Sequence, residues 1–373
     1  MEYDWFKIKF LESTTNLKVQ LKKSVGREPS STVASEITSC LQQGRLFFDA
    51  AKSSPLEIRP LQLFYGITGF AKAVALARNL QSIDTLVKSH GIKDNSGNAK
   101  RIEDLKILIG NKGTFQHFND AICELSLIRY YGYMSAPCSI KLATDKASKF
   151  KDMTLSIKDI LARIPKLEGL YSRTFSEPSK VCSISLHMMQ QPNYFSLRID
   201  DPDLFDNRES LQLIIKKWRD QFPFLEKWTL HEAQHGWGNS ILTFGNYSVA
   251  PDSEFDSLIE SDLRFYRAGV GYVEATLEQV LQPLAGGLTN RHPSILQSYN
   301  GVYFSEYSLQ YLGMYLLSTL VRYRPQIWSS SIMHTSNSVA LADDKMLALI
   351  EQFMEVTMHD FADMAVEAIS YCH

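Results

Sequence analysis

The chain has 373 residues, 45% hydrophobic and 21% charged, which is typical of a globular protein with a sizeable core. Its formal net charge of -2 supplies no overall field that would attract a polyanion, so nucleic-acid binding would need a local cationic patch. The five cysteines are odd in number and widely spaced, which excludes a disulfide framework and favours a cytoplasmic protein.

The N-terminal part is predicted to be mainly helical. Apolar residues recur at helical spacing over Val33–Ala51, and a second helix begins at Pro60 and carries an apolar stripe to Ala77. Gly66 and Gly69 within that second helix suggest close backbone packing rather than a phosphate-binding loop. We also expect a short third helix ending at His90, an exposed loop over 93–100, a short strand over 105–109 and a helix resuming at Phe115.

The middle of the chain changes to a period of two, which predicts antiparallel strands. Residues 182–188 and 195–199 form one predicted hairpin, and residues 228–233 and 240–244 form a second, with a helix over 211–218 between them. A small antiparallel sheet covering roughly 181–247 is the simplest interpretation.

Helical spacing returns beyond Asp252, and Tyr307–Tyr323 is apolar nearly all round, as expected of a helix at the centre of a helical domain. One or two amphipathic helices follow near the C-terminus. The predicted fold is therefore α+β, mainly α: a helical bundle built from regions 1–175 and 251–373, with a small β region over 176–250. The longest apolar segment is about half of the roughly 20 residues that a membrane span requires, so no membrane association is predicted.

One motif resembles known catalytic chemistry. His231, Glu232 and His235 form a His-Glu-x-x-His sequence, in which two imidazoles on one face of a helix hold zinc while the glutamate activates water. Here Gly236 and Gly238 would end such a helix at once, and Ile241 occupies the position of a third histidine in the longer form of the motif. A distant third ligand would have to come from Glu254, Glu260 or Glu274. We favour a strand and turn, with a zinc hydrolase as the alternative.

Several cations could recognise phosphate or an acidic surface. Two basic runs, Lys18–Arg27 and Lys141–Arg173, have the alternative interpretation of solvated helix faces. Arg59, Arg322 and Arg324 lie at the ends of apolar helices, where they could instead form ion pairs or helix caps.

Five segments resemble, in order, the bacterial YaaC-like family. They are Ser54–Gly66 (SPLEIRPLQLFYG), His90-Gly91, Gly113-Thr114-Phe115, Leu155–Pro165 (LSIKDILARIP) and Tyr315–Trp328 (YLLSTLVRYRPQIW). The resemblance covers about residues 30–365, and it implies a bacterial cytosolic protein without implying a particular reaction.

The helical parts also resemble HEPN-type proteins, many of which are RNases or parts of phage-defence systems. HEPN nucleases use an arginine followed four to six residues later by a histidine, and this chain has no such pair. An RNase would therefore need a displaced pair, such as Arg59 with His90.

The leading hypothesis is a non-catalytic accessory protein without a cofactor, within a multi-component bacterial system such as anti-phage defence. It would bind a partner protein, a second copy of itself or nucleic acid. The candidate binding residues are Arg59, Tyr65, His90, Lys158, Arg163, Arg322 and Arg324.

Overall fold

The computed structural model describes residues 5–123, 126–131, 137–141, 144–188, 195–200, 211–222, 225–226, 229–236, 239–245, 264–266, 284–285, 294–333 and 341–370. The mainly helical α+β fold predicted from the sequence is confirmed. The helices are α1 (Phe6–Leu11), α2 (Thr14–Ser24), α3 (Ser31–Ser53), α4 (Arg59–Asn79), α5 (Thr114–Ile122), α6 (Ile157–Leu161), α7 (Glu168–Phe175), α8 (Leu211–Gln221), α9 (Glu306–Tyr323), α10 (Pro325–Met333) and α11 (Leu341–Ser370).

The two helices predicted first in the chain are α3 and α4, and they pack closely against each other. Ser30 caps α3, since its side chain accepts a hydrogen bond from the Val33 amide, and Pro60 lies in the first turn of α4. A Cβ atom on Gly69 would lie 2.8 Å from the Gly44 nitrogen and 2.9 Å from the Cys40 oxygen. The predicted close backbone packing at Gly69 is therefore confirmed.

Helix α9 lies at the centre of the molecule, as its all-round apolar sequence predicts. It packs on α4, α6 and α11, and nearly every residue from Glu306 to Leu320 is buried. The C-terminal amphipathic segment is one helix, α11, rather than two. Within the described ranges, no helix combines the length and apolar character needed to cross a bilayer.

In the described part of the chain, three antiparallel sheets accompany the helices. The strands are β1 (Ile92–Asp94), β2 (Lys106–Ile109), β3 (Ser126–Tyr131), β4 (Pro137–Lys141), β5 (Thr154–Ser156), β6 (Val181–Met188), β7 (Phe195–Asp200), β8 (Thr229–Gly236), β9 (Asn239–Gly245), β10 (Arg264–Tyr266), β11 (Leu284–Ala285) and β12 (Ser294–Leu296). Their orders are β1-β2-β5, β3-β4 and β10-β8-β9-β7-β6-β12-β11.

Both predicted hairpins are confirmed. Strands β6 and β7 pair with Leu186 opposite Leu197, and β8 and β9 pair with Ala233 opposite Leu242. Strands β7 and β9 also pair with each other, so the two hairpins form the middle of one sheet.

The prediction of purely helical structure beyond Asp252 is wrong at three short segments. Strands β10, β11 and β12 all join the large sheet, and β12 pairs with β6 through Ile295 opposite Cys182. Strands of two or three residues are too short to show a period in the sequence, and their pairing depends on distant partners.

The prediction of a third helix ending at His90 is also wrong. Only a single 3₁₀ turn forms, at Ile83–Thr85, and the predicted exposed loop over 93–100 begins inside strand β1. Gly91 has a φ of 76°, which is incompatible with a continuing right-handed helix, and Ile92 pairs with Ile109 of β2 instead. The chain therefore turns sharply at His90.

Candidate functional site

His90 lies where α4, α5 and α9 meet, directly before strand β1. Its ring lies 5.1 Å from the ring of Phe64 on α4 and 5.9 Å from the ring of Tyr315 on α9, both in edge-to-face arrangements. Phe64 and Tyr315 contact each other at 5.4 Å. Two aromatic rings that also contact each other therefore flank the imidazole.

The backbone around His90 is joined to the start of α5. The amide of Thr114 donates to the Ser89 oxygen at 2.8 Å, and the amide of Phe115 donates to the His90 oxygen at 3.1 Å. These bonds satisfy N–H groups that the first turn of a helix leaves free. A Cβ atom on Gly113 would overlap the backbone of Gly91, so this close approach requires glycine. Two of the segments that carry the family resemblance, His90-Gly91 and Gly113-Thr114-Phe115, thus meet here.

Two cations influence the His90 imidazole. Burial lowers the pKa of His90 below its ordinary value of 6.5, and the charges of Arg322 on α9 and Lys72 on α4 lower it further. The imidazole is therefore neutral at neutral pH, with one nitrogen that donates a hydrogen bond and one that accepts.

A pocket of about 490 Å³ opens beside His90. Its lining combines two lysines, an acid, three hydroxyl groups, an apolar wall and the histidine, contributed by Lys72, Lys88, Asp84, Thr68, Ser89, Thr114, Ile83, Leu86, Val87 and His90. Lys72 is half-buried and Lys88 is exposed. Neither lysine forms an ion pair with another residue in the described part of the chain.

The loop between α4 and β1 forms one wall of the pocket, and the beginning of this loop is attached to α3. The Glu36 carboxylate accepts hydrogen bonds from the Ser82 hydroxyl at 3.1 Å and from the Ile83 amide at 2.9 Å. Because the other end of this loop is fixed by the bonds from α5, both ends of the wall are held in position.

Of the candidate binding residues predicted from the sequence, Arg322 lies near enough to His90 for its charge to lower the pKa of that residue. The Arg322 side chain also donates to the Ser318 oxygen at 3.3 Å and lies over the Tyr323 ring. Arg324 instead forms an ion pair with Asp94 at 3.1 Å.

Arg59 and Tyr65 lie on α4 but have other contacts. Arg59 donates from Nη2 to the Ser54 oxygen at 3.2 Å, at the entry of the helix. Tyr65 stacks on Phe47 of α3 at 5.4 Å. No hydrogen bond or ion pair joins Arg59 to His90 among the residues that the structure describes.

Lys158 and Arg163, from the second basic run, are engaged within the protein. Lys158 forms an ion pair with Glu177 at 2.7 Å. Arg163 is buried, and its guanidinium donates to the backbone oxygens of Asp159, Gln297 and Ser298 at 2.9 to 3.1 Å. Burial lowers the pKa of Arg163. Further lysines of the run are paired as well: Lys149 with Asp145 and Lys166 with Asp360.

The His-Glu-x-x-His motif lies on strand β8, which confirms the strand predicted from its sequence. Glu232 pairs with Thr243 and His235 with Ser240 across the β8–β9 ladder. At about 3.3 Å per residue, the Cα atoms of His231 and His235 are separated by roughly 13 Å along a strand. The helix on which the zinc signature depends is therefore not formed. Glu254, Glu260 and Glu274, considered as distant ligands, lie outside the described residues.

Sequence reasoning missed Lys72 and Lys88. Lys72 carried a signal, because it is a cation among mostly small apolar residues, and its neighbours over 66–77 on α4 are all buried. Its proximity to residues 88–90 depends on how the loop after α4 returns to the helix, which spacing along the chain does not encode.

The sequence profile described as the YaaC-like protein matches residues 7–369 of this chain. This range takes in His90, both pocket lysines and Arg322. Comparison with curated proteins gave no match, and comparison with solved structures gave none either.

Proposed function

Because the chain belongs to the YaaC-like protein family, and membership alone specifies no ligand, we propose from its geometry that it is a non-catalytic component that binds nucleic acid through phosphate. The proposed contact is the pocket beside His90. The observation that carries this proposal is the pair of lysines, Lys72 and Lys88, that line one pocket without an ion-pair partner among the described residues.

Electrostatics favour an anionic ligand at this position. Other lysines of the described chain, such as Lys149, Lys158 and Lys166, have carboxylate partners within 2.7 Å. Lys72 is half-buried without such a partner, and it lies close enough to His90 to lower the pKa of that residue. A partly desolvated charge is unfavourable until an opposite charge approaches, so a phosphate group here would gain more than on an open surface.

The surroundings of His90 favour binding over catalysis. General acid–base catalysis by histidine ordinarily uses a second group that orients the ring through a hydrogen bond. The described ring contacts of His90 are with Phe64 and Tyr315, which are aromatic, and the charges that lower its pKa come from two cations. A neutral imidazole in this setting is suited to donate one hydrogen bond to an anion.

Salt-titrated binding to short single-stranded RNA and DNA tests the proposal. We expect affinity to decrease as salt increases, and Lys72→Met together with Lys88→Met to weaken binding by about tenfold or more and to reduce the salt slope by about one per lost phosphate contact. Lys7→Met, at an exposed lysine on α1, is the matched control and should leave binding unchanged. Affinity that does not depend on salt, or that is equal in all variants, would overturn the proposal.

A further inference from the structure

We infer that the pocket beside His90 accepts a phosphate monoester, carried by the end of a nucleic-acid strand or by a mononucleotide, rather than an internal phosphodiester. This inference rests on the proposed function and specifies which phosphate the site recognises.

Groups from three separate elements converge on the same cavity: Lys72 from α4, Lys88 and Ser89 from the loop, and Thr114 from the start of α5. The Ser89 and Thr114 hydroxyls donate to the Lys112 and Ser89 oxygens, so the two lysines are the groups that would donate to an anion. A phosphodiester inside a strand is recognised along an extended track, because chain continues on both sides of it. Cations gathered around one cavity suit a group that enters it end-on.

The charge of the pocket also favours a phosphate monoester. A phosphate monoester carries about 1.5 to 2 negative charges at neutral pH, whereas a diester in the backbone carries one. Two lysines and one acid, Asp84, line the pocket, and the positive charge of Arg322 acts on His90 at its edge. Three cations less one acid leave a net charge of +2, which matches the monoester better than the diester.

The size of the cavity leaves room for more than a phosphate group. The cavity of about 490 Å³ lies within the range of roughly 300–1,000 Å³ that is usual for small-molecule pockets. It is therefore larger than a phosphate group alone requires. Ile83, Leu86 and Val87 supply an apolar wall against which a sugar or base could lie.

Asp84 is the one acid in the lining, and it makes a sharp test possible. The side chain is exposed at the start of the loop and forms no ion pair with another described residue. Its charge opposes a bound phosphate, so Asp84→Asn should tighten binding. A change that only disturbed the loop would weaken binding instead.

The experiment compares oligonucleotides of one sequence that carry a 5′-phosphate, a 3′-phosphate or hydroxyl groups at both ends, by fluorescence anisotropy at fixed salt. We expect at least one phosphorylated form to bind about tenfold more tightly than the hydroxyl form, as one added charge-assisted contact would provide. The double variant Lys72→Met, Lys88→Met should abolish that difference, Asp84→Asn should increase the affinity, and Lys7→Met should change neither. Circular dichroism and thermal unfolding confirm that each variant is folded.

Each negative result has a distinct meaning. Equal, salt-dependent affinity for all three oligonucleotides would overturn the monoester inference and leave the proposed nucleic-acid binding intact. If none of them binds, the proposed function fails, and calorimetric titration with adenosine monophosphate and inorganic phosphate decides the inference. Mononucleotide binding that is lost in the double lysine variant would support a monoester pocket, and no binding of either compound would overturn it.

Discussion

The guanidinium of Arg324 donates a hydrogen bond to Asp94 Oδ2 at 3.1 Å, which attaches the end of α9 to β1 two residues after its start. The two side chains are 19% and 23% exposed. The backbone oxygen of Arg324 also accepts from the amide of Ile327 at 3.0 Å, at the beginning of α10. This arginine therefore joins the strand that follows His90 to the helix pair α9–α10.

Replacing Arg324 by Met should lower the free energy of unfolding by about 1 kcal/mol, because the pair is partly buried and Asp94 would lose a charged donor. Urea denaturation measures the change. Asp94→Asn should lower the free energy of unfolding by a similar amount. The double variant should lose less stability than the two single variants lose together. Arg101→Met is the control and should unfold like the wild type, because the Arg101 side chain is 68% exposed. Strictly additive effects would show that the Arg324–Asp94 ion pair contributes nothing to the free energy of unfolding.

His90 should make stability depend on pH in the acidic range. Burial, Arg322 and Lys72 lower its folded pKa below the ordinary value of 6.5, so the unfolded chain binds a proton more readily than the folded chain. The contribution of His90 to stability is therefore complete above pH 6.5 and is lost as the pH falls toward the folded pKa. In His90→Gln the free energy of unfolding should depend less on pH in this range. Urea denaturation between pH 5 and 8 measures this dependence.

The same pKa should respond to the neighbouring cations. Because Arg322 follows burial as the second cause of the low value, Arg322→Gln should raise the pKa of His90 toward 6.5 without restoring it fully. Titration of the imidazole protons by NMR measures this shift, and Arg101→Gln should leave it unchanged. An unaltered His90 titration in Arg322→Gln would mean that burial and Lys72, rather than Arg322, lower the pKa.

Alanine substitutions at Gly91 and Gly26 distinguish the cost of backbone strain from the cost of a steric overlap. Their φ angles are 76° and 77°, so alanine is equally strained at both positions, at a cost of about 1–2 kcal/mol. At Gly26 the added methyl group meets nothing within 4 Å, whereas at Gly91 it overlaps the side-chain oxygen of Gln116. The Gln116 amide donates to the Gly91 and Gly110 oxygens, and these bonds would be disturbed.

Gly91→Ala should therefore lose more stability than Gly26→Ala, by about 1 kcal/mol or more for the disturbed hydrogen bonds. It should also alter the NMR signals of His90, because the neighbouring backbone must move. Equal losses of stability in urea denaturation would show that backbone strain alone accounts for the effect of Gly91→Ala.

Arg163 should prove to be a stabilising residue rather than a ligand-binding one. Its guanidinium donates to three backbone oxygens and lies 5.2 Å from the Tyr299 ring. Arg163→Met would leave buried acceptors without donors, and we expect a loss of about 3 kcal/mol. Arg163→Lys should recover only part of it, since lysine lacks the planar fork. Where Arg163→Lys remains folded, its nucleic-acid affinity should equal that of the wild type; weaker binding would restore Arg163 as a ligand-binding candidate.

Much of the helical fold could be predicted from the sequence, because the relevant signals are local. The apolar period predicts α3 and α4, Pro60 marks the first turn of α4, and the unbroken apolar face of α9 predicts its burial. The alternation over 182–188 and 195–199 likewise predicts the β6–β7 hairpin. These elements are each long enough to show their period.

The candidate site could be predicted only in part, because it depends on contacts between distant segments. His90 and Arg322 were candidates for their residue types, and the structure brings them together through the packing of α9 on α4. Arg163 had the same appearance in sequence as an exposed cation, since nothing local shows that residues 297 and 298 accept its hydrogen bonds. The arrangement of partners, rather than the residue type, distinguishes the two arginines.

The His-Glu-x-x-His motif should prove not to hold zinc. Two imidazole ligands must each approach the metal to about 2.0–2.1 Å, which residues four apart achieve on a helix, where their Cα atoms rise by only about 6 Å. On β8 the same residues, His231 and His235, are separated by more than twice that rise. Protein purified without a tag should therefore contain less than about a tenth of an equivalent of zinc. Chelator treatment should leave its thermal unfolding unchanged, in the wild type and in His231→Ala alike. One equivalent of zinc that disappears in both His231→Ala and His235→Ala would contradict this prediction and restore the hydrolase hypothesis.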